Sequence, residues 1–276
     1  MALAVALVLM AAIVALTIPS GDPTSRIAGI QQSPAGATVV ISIKIDAVNA
    51  AGTFTARIQV VPGHSGVFPV DGAVVYTDIG GLPPIKVYSD VLPATYSVVI
   101  DATAGEVSSY PFDRYATTVG FQVAAGTERT LKEAFVQPTL PFAVIGESSA
   151  SGFDVEGTTA ASAVGTGEVT FDARRSASTK SWAIAMMVIN WLVALASVGV
   201  ALAVVLGQRM WETRHLAWLG SLIFALSAFR NTAPGNPPIG TFLDYRSFFP
   251  AIALVVASLI ALVVTFLVRP RDQLGL

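Results

Sequence analysis

The sequence predicts a membrane protein with four transmembrane helices and an antiparallel β-sandwich inserted between the first and second helix. Three observations support this fold class. The 276 residues are 53% hydrophobic and only 12% charged, whereas charged residues make up about 25% of an average soluble domain. Most charged residues fall between Asp22 and Lys180, and both ends of the chain are apolar. In the middle region, apolar and polar residues alternate with a period of two, which is typical of strands.

Four apolar runs are the predicted transmembrane helices, because a helix needs about 20 residues to cross a hydrocarbon core about 30 Å thick. They cover residues 1–19, 182–207, 216–230 and 250–268. The alternative for the first run is a signal peptide, although no Lys or Arg precedes it and no small-residue cleavage pattern follows it. The third run is short, and its alternative is a re-entrant hairpin.

The remaining segments are placed by the Lys and Arg residues of the short loops. Arg209 and Arg214 lie between the second and third runs, and Arg269 and Arg271 follow the fourth. We therefore expect a multi-pass plasma-membrane protein with both chain ends in the cytoplasm. An extracytoplasmic β domain covers residues 20–181, and a cytoplasmic loop covers residues 208–215. An outer Pro-rich loop covers residues 231–249, and a cytoplasmic tail covers residues 269–276.

The β domain is predicted from several short runs in which apolar and β-branched residues alternate with polar ones. Gly and Pro residues separate these runs, as expected for turns. Seven or eight short strands over about 160 residues fit one antiparallel sandwich. The predicted strands cover residues 38–45, 53–61, 73–76, 96–102, 117–123, 142–145 and 168–171.

Several functional classes are excluded by residues that the sequence lacks. There is no Cys, and the two His residues, His64 and His215, are far apart, so we predict no metal site and no cofactor. The net charge is −2 and no basic run occurs, which argues against a nucleic-acid partner. Asp154 and Glu156 are interpreted as solvated surface and not as an acid–base pair. We predict that the protein is not an enzyme.

The most distinctive motif of the β domain combines two Tyr, a Pro, a Phe, an Asp and an Arg. It runs through Tyr110, Pro111, Phe112, Asp113, Arg114 and Tyr115. We interpret it as a structural corner, since Pro limits strand pairing and Asp can cap a backbone N–H group. The alternative is a resemblance to pentameric ligand-gated channels, where a similar Pro-Phe-Asp stands in the loop that touches the membrane domain. This sequence lacks the Cys pair that flanks that loop.

The outer Pro-rich loop is interpreted as a structural lid that closes the helix hairpin, and the alternative is a contact for a partner protein or a lipid headgroup. Three Pro and two Gly residues between positions 230 and 240 exclude regular structure and stiffen the backbone. Arg230 and Asp244 are expected to neutralise each other near the lipid interface. The candidate contact residues are Arg230, Asn231, Pro237, Pro238, Asp244, Tyr245 and Arg246.

Small and polar residues of the second run predict close helix packing. Gly199, Ala203 and Gly207 recur at every fourth position, and Asn190 can form a hydrogen bond to a neighbouring helix. We expect these residues to pack within the protein. A transmembrane helix of another protein is the alternative partner.

The arrangement of motifs resembles an uncharacterised actinobacterial four-span membrane-protein family that is catalogued as a domain of unknown function. The resemblance is carried by Tyr110–Tyr115, Leu222–Leu226, Arg230–Thr232, Pro237–Gly240, Asp244–Tyr245 and Phe248–Phe249. It implies an actinobacterial plasma membrane, a β domain that faces the cell wall, and association with a larger envelope or respiratory complex. It implies no activity.

The sequence leaves two candidate functions for the protein. The favoured one is a non-enzymatic accessory or interaction subunit whose partners are the lipid bilayer and other membrane protein subunits. The alternative is a component of a transporter or channel that binds lipid or small solutes. Such a component needs polar residues along a path through the bilayer, and the four runs contain Asn190 and scattered Ser and Thr.

Overall fold

The structure is a computed structural model that describes residues 25–31, 36–63, 68–126, 139–163 and 165–268. The first predicted helix, at residues 1–19, and the predicted tail lie outside the described residues. The described chain divides into two compact units. A β unit contains residues 25–107 and 113–176, and a helical unit contains residues 108–112 and 177–268.

The described part of the β unit has eleven strands, and a 3-10 turn at Val107–Ser109 follows β7 where the chain passes into the 108–112 segment of the helical unit. The strands are β1 (Ser25–Gln31), β2 (Val39–Val48), β3 (Thr53–Pro62), β4 (Ala73–Thr77), β5 (Ile85–Val87), β6 (Thr95–Asp101), β7 (Ala104–Gly105), β8 (Arg114–Ala125), β9 (Phe142–Ser148), β10 (Phe153–Ala163) and β11 (Thr166–Arg175).

The strands form one mixed sheet in the order β5-β4-β8-β11-β10-β1-β9-β2-β3-β6, with β7 beside β8. The prediction of an antiparallel sandwich is therefore wrong. β2 and β9 pair in parallel from Val39 and Phe142 to Ile45 and Ser148. β1 joins the two halves, since it pairs in parallel with β10 and antiparallel with β9. Alternation of apolar residues shows which face of a strand is buried but not which strand lies beside it.

The sheet curls around one large hydrophobic core to which both of its halves contribute. Residues of β2 and β3, such as Ile41 and Phe54, share this core with residues of β8 and β11, such as Val119 and Phe171. Each of these side chains is at most 1% exposed. The alternation seen in the sequence is thus the alternation between the core and the surface.

Each of the seven predicted strands overlaps an observed strand, whereas β1, β5, β7 and β10 were missed. β5 and β7 are three and two residues long, which is too short for a pattern of alternation. β10 includes the run Gly157 to Ala161 with no large apolar residue. Its place in the sheet comes from ten paired positions with β11.

The helical unit contains α1 (Ala177–Val205), α2 (Thr213–Arg230) and α3 (Phe249–Val268). A π-helical turn at Asp244–Phe248 leads directly into α3. Among the described residues, two helical segments are long and apolar enough to cross a membrane, Ala177–Val205 and Asp244–Val268. The prediction of four transmembrane helices with an inserted sandwich is therefore wrong. α2 has 18 residues, and it carries Arg214, His215 and Arg230, which lower its hydropathy.

The direction of the three helices follows from two hydrogen bonds. Asn190, in the first half of α1, donates from Nδ2 to Ser247 Oγ at 3.0 Å, just before α3. Trp211, which follows α1, donates from Nε1 to the Leu262 carbonyl oxygen near the end of α3 at 3.2 Å. α1 and α3 therefore run in the same direction, and α2 returns the chain between their opposite ends.

Candidate functional site

The centre of the candidate site is a buried ion pair between the last residue of α2 and the first residue of the π-helical turn. Arg230 donates from Nε to Asp244 Oδ1 and from Nη2 to Asp244 Oδ2, both at 2.8 Å. The two side chains are 5% and 0% exposed. This bidentate geometry is the strong form of an Arg–carboxylate contact. The pairing expected from the sequence is present.

The intervening loop supplies further hydrogen bonds to both charges. Arg230 also donates from Nη1 to the Pro237 carbonyl oxygen at 3.0 Å and from Nη2 to that of Pro238 at 2.7 Å. Asp244 Oδ2 accepts from the backbone N–H groups of Gly240 and Thr241 at 2.8 and 3.1 Å, and from Thr241 Oγ1 at 3.2 Å. Because a buried charge needs such partners, the network holds the loop in one conformation.

Residues 108–112 pack against this loop as part of the helical unit. The Tyr110 hydroxyl donates to the Pro234 carbonyl oxygen at 3.0 Å. The Tyr110 ring is fully buried in a cluster with Ala183 and Leu243. The Phe112 ring meets the Phe242 ring edge to face, with centroids 5.9 Å apart. The motif interpreted as a corner is therefore divided, since Tyr110–Phe112 belongs to the helical unit and Asp113–Tyr115 to the β unit.

The locked loop, the π-helical turn after it and the 108–112 segment carry exposed apolar and aromatic side chains, here together called the loop surface. Its members are Phe112, Ile239, Phe242 and Tyr245, with exposed fractions of 53%, 73%, 38% and 66%. The exposed Arg246 guanidinium lies 5.7 Å from the centroid of the Phe242 ring, which is within the range of a cation–π contact. Ile239 and Phe242 were not among the sequence candidates. The sequence feature that could have pointed to these two residues is their position on either side of the Gly240–Thr241 turn.

The other predicted contact residues divide by burial. Pro237 is buried, whereas Asn231, Pro238, Tyr245 and Arg246 are exposed. Asn231 ends α2, and its backbone N–H group donates to the carbonyl oxygens of Ser227 and Ala228. Arg230, Pro237 and Asp244 thus support the loop from inside, and the exposed members are accessible to a ligand or partner.

A second buried ion pair lies in the β unit. Arg175, the last residue of β11, donates from Nε to both carboxylate oxygens of Asp113 at 3.0 Å. The two side chains are 1% and 0% exposed, and the guanidinium lies 4.1 Å over the Phe153 ring. Burial, followed by the charge of Asp113, raises the pKa of Tyr115. Arg175 was missed, although Val169, Phe171 and Ala173 place it in register on the buried face.

Two exposed ion pairs of the β unit lie on the outer face of the sheet. Arg114 donates to Asp172, and this hydrogen bond lowers the pKa of the carboxyl. Arg57 donates to both oxygens of Asp46 at 2.7 Å and lowers the pKa of that carboxyl in the same way. We assign these pairs to the surface of the sheet and not to a site.

The residues predicted to pack helices have three different environments. Asn190 is buried and bonded to Ser247. Gly207 has φ +74° and ends α1, since Gln208 N–H beyond it returns to the Ala203 carbonyl oxygen at 2.9 Å. Gly199 and Ala203 line an open cavity of about 810 Å³ beside the loop that follows α1. Within the described ranges, no cluster of three or more metal-ligating side chains occurs.

Fold and site together define a protein with a mixed β-sheet unit followed by an apolar helical unit that carries a locked outer loop. The domain of unknown function DUF4436 matches residues 30–173, and the domain of unknown function DUF8686 matches residues 175–269. The first match covers more than half of the chain, so the protein belongs to the DUF4436 family. The expectation of a family catalogued by a domain of unknown function is confirmed. No curated protein matches the chain.

Proposed function

We propose that the protein is a non-enzymatic membrane protein that serves as an accessory or interaction subunit of a larger cell-envelope or respiratory complex. The loop surface is the observation that carries this proposal. It is apolar, exposed and held in place by a buried network in which both charges are paired.

Location in the plasma membrane is supported by two helical segments. Ala177–Val205 and Asp244–Val268 have 29 and 25 residues, and their lengths of about 44 and 38 Å exceed the hydrocarbon thickness of about 30 Å. Large apolar side chains along α1 and α3 are exposed, among them Leu195, Leu202 and Val264. Lipid covers such surfaces favourably, whereas water does not.

The orientation is supported by the positions of the basic residues. Trp211 and Leu262 are hydrogen bonded, so Arg209, in the loop after α1, and Arg214, at the start of α2, lie at the same end of the helical unit as the end of α3. Arg269 and Arg271 follow α3 in the sequence. Because Lys and Arg concentrate in cytoplasmic segments, this end faces the cytoplasm in our proposal, and the β unit faces the cell wall of an actinobacterium.

An interaction role is supported by the rigidity of the loop surface. A surface that is already ordered loses little conformational entropy on binding. Aromatic side chains are enriched among residues that dominate binding energy, and the loop surface contains Phe112, Phe242 and Tyr245. We therefore propose that another membrane protein subunit docks on this surface.

Purification of the full-length protein from native membranes tests this role. The double variant Ile239→Ala, Tyr245→Ala should lose a stoichiometric partner that the wild type retains, with an unchanged melting temperature. The control is Leu92→Ala, since Leu92 is 90% exposed and lies in the β unit. Retention of the partner by the double variant, or the absence of a stoichiometric partner in the wild type, contradicts the proposal.

A transporter or channel component is the second candidate, and the cavity at Gly199 and Ala203 is the observation that favours it. A homo-oligomer that conducts ions in planar bilayers would support this candidate over the first.

Orientation is tested independently by alkaline phosphatase fusions. Activity is expected for an insertion at Gly80 and not for a fusion after Leu276, and the reverse pattern contradicts the proposed orientation.

A further inference from the structure

The cavity of about 810 Å³ has an apolar half formed by the last turns of α1. Gly199, Val200 and Ala203 line this half. A Cβ atom placed on Gly199 would meet no atom within 4 Å. The small-residue face of α1 is therefore not covered by another part of the chain that the structure describes. The volume of the cavity falls in the range of about 300–1,000 Å³ that is usual for ligand sites.

The other half of the cavity is polar and carries positive charge. It is lined by Arg209, Glu212, Arg214 and His215, among others. Glu212 and Arg214 form an ion pair, and Arg209 has no ion-pair partner among the described residues. The pair neutralises one guanidinium, which leaves the charge of Arg209. The Nδ1 atom of His215 is buried and has no hydrogen-bond partner among the described residues.

The polar half lies just beyond the end of α1, at the level of an aromatic residue typical of a membrane interface. Trp211 is bonded to Leu262 and stacks on Phe266 with centroids 4.5 Å apart. Trp residues concentrate where hydrocarbon meets headgroups. The apolar half therefore runs along α1 towards the hydrocarbon, and the charged half lies at headgroup level.

We infer that this cavity binds one anionic phospholipid, with its phosphate at the exposed Arg209 guanidinium and one acyl chain along Gly199 and Ala203. The inference rests on the proposed membrane location. A free anion would fill only the charged half, whereas an amphiphile with a negative headgroup matches both halves. Basic pockets between membrane helices on the cytoplasmic side bind anionic headgroups by the same physics.

Native mass spectrometry of the full-length protein in detergent tests the inference. Titration with phosphatidylglycerol should give one retained lipid, and phosphatidylcholine should bind at least about fivefold more weakly, since one basic residue near a headgroup contributes about that factor. Arg209→Gln should weaken phosphatidylglycerol binding by about fivefold. Gly199→Leu should abolish it by filling the apolar half.

Two matched variants serve as controls. Arg26→Gln removes an exposed Arg from the β unit. Gly220→Leu adds the same side chain to a helical Gly of α2 that also has open space around its Cβ position but does not line the cavity. Both should bind phosphatidylglycerol like the wild type. Arg209 is exposed, so its variant remains informative if Gly199→Leu folds poorly.

Three outcomes would overturn the inference. They are equal binding of both lipids, unchanged binding in Arg209→Gln, and displacement of the lipid by inorganic phosphate, which would indicate a site for a soluble anion. Alkaline extraction of membranes, measured in parallel, separates this inference from the proposed function. A protein that resists extraction but shows no lipid preference refutes the lipid site alone, whereas a protein released by alkali refutes the membrane location.

Discussion

Arg230 and Asp244 form a bidentate ion pair that is closed off from solvent and bonded to the backbone of the loop between them. Neither charge has access to a ligand. The pair is hydrogen bonded to the backbone of the loop, and we propose that a partner contacts the exposed residues of the loop surface.

Removal of either charge should destabilise the protein strongly, because the remaining charge stays buried without its partner. We expect Arg230→Ala and Asp244→Ala each to lower the free energy of unfolding by about 3–5 kcal/mol. The double variant should lose less than the sum, with a coupling energy of about 0.5–3 kcal/mol. Denaturant unfolding in detergent measures these values. Arg174→Ala is the control, since its side chain is 46% exposed, and strict additivity would mean that the charges do not interact.

The buried pair of the β unit should behave differently from the exposed pair beside it. Asp113→Ala leaves the Arg175 guanidinium buried, and we expect a loss of about 3–5 kcal/mol. Asp172→Ala removes the partner of Arg114, whose side chain is 56% exposed, and should change stability by about 0–1 kcal/mol. Thermal unfolding of the full-length variants compares the two, and equal losses would contradict the difference in burial.

Acid should remove the stabilisation supplied by Asp46 and Asp172. Their pKa values in the folded protein lie below the ordinary value of 3.8. Stability from these groups is therefore fully present above pH 3.8 and is lost as the pH falls through the folded pKa. The variant Asp46→Asn, Asp172→Asn should show a smaller fall in melting temperature between about pH 5 and about pH 2. The exposed Asp90→Asn is the control, and an unchanged pH dependence in the double variant would contradict the assignment.

The junction of β1 and β10 should tolerate no side chain at Gly29. This residue has φ +89°, and an added Cβ atom would lie 2.0 Å from the Gly157 carbonyl oxygen. We expect Gly29→Ala to destabilise the β unit by at least about 1–3 kcal/mol, since both the backbone and the strand contact are strained. Gly80→Ala is the matched control, because its Cβ position is open. Circular dichroism melting should separate the two variants, and equal melting temperatures would refute the close approach.

Local pattern was sufficient to predict where many strands lie. The runs at residues 38–45 and 53–61 are strands β2 and β3, and their pairing as a hairpin is present. The alternation of apolar and polar residues did not identify β1 and β10, because the Gly and small residues in these strands give little contrast in hydrophobicity. The parallel pairing of β2 with β9 joins residues about 100 positions apart, and no local signal specifies such a partner.

The candidate site was predictable in part. Arg230 and Asp244 stood out because charges beside an apolar run require partners, and the structure brings them together. The exposure of Ile239 and Phe242 was not predictable, because it depends on the loop conformation that the hydrogen bonds to Arg230 and Asp244 hold in place.

Composition and periodicity by themselves determined that the chain has an apolar helical part and a β-rich part, since burial of apolar surface and the period of each element are local properties of the sequence. Only the tertiary structure decided that the sheet is mixed, that Tyr110–Phe112 packs with the helices, and that Gly199 lines a cavity. These features depend on which distant segments come together. That choice is made by the packing of the whole chain and leaves no periodic signal in any one segment.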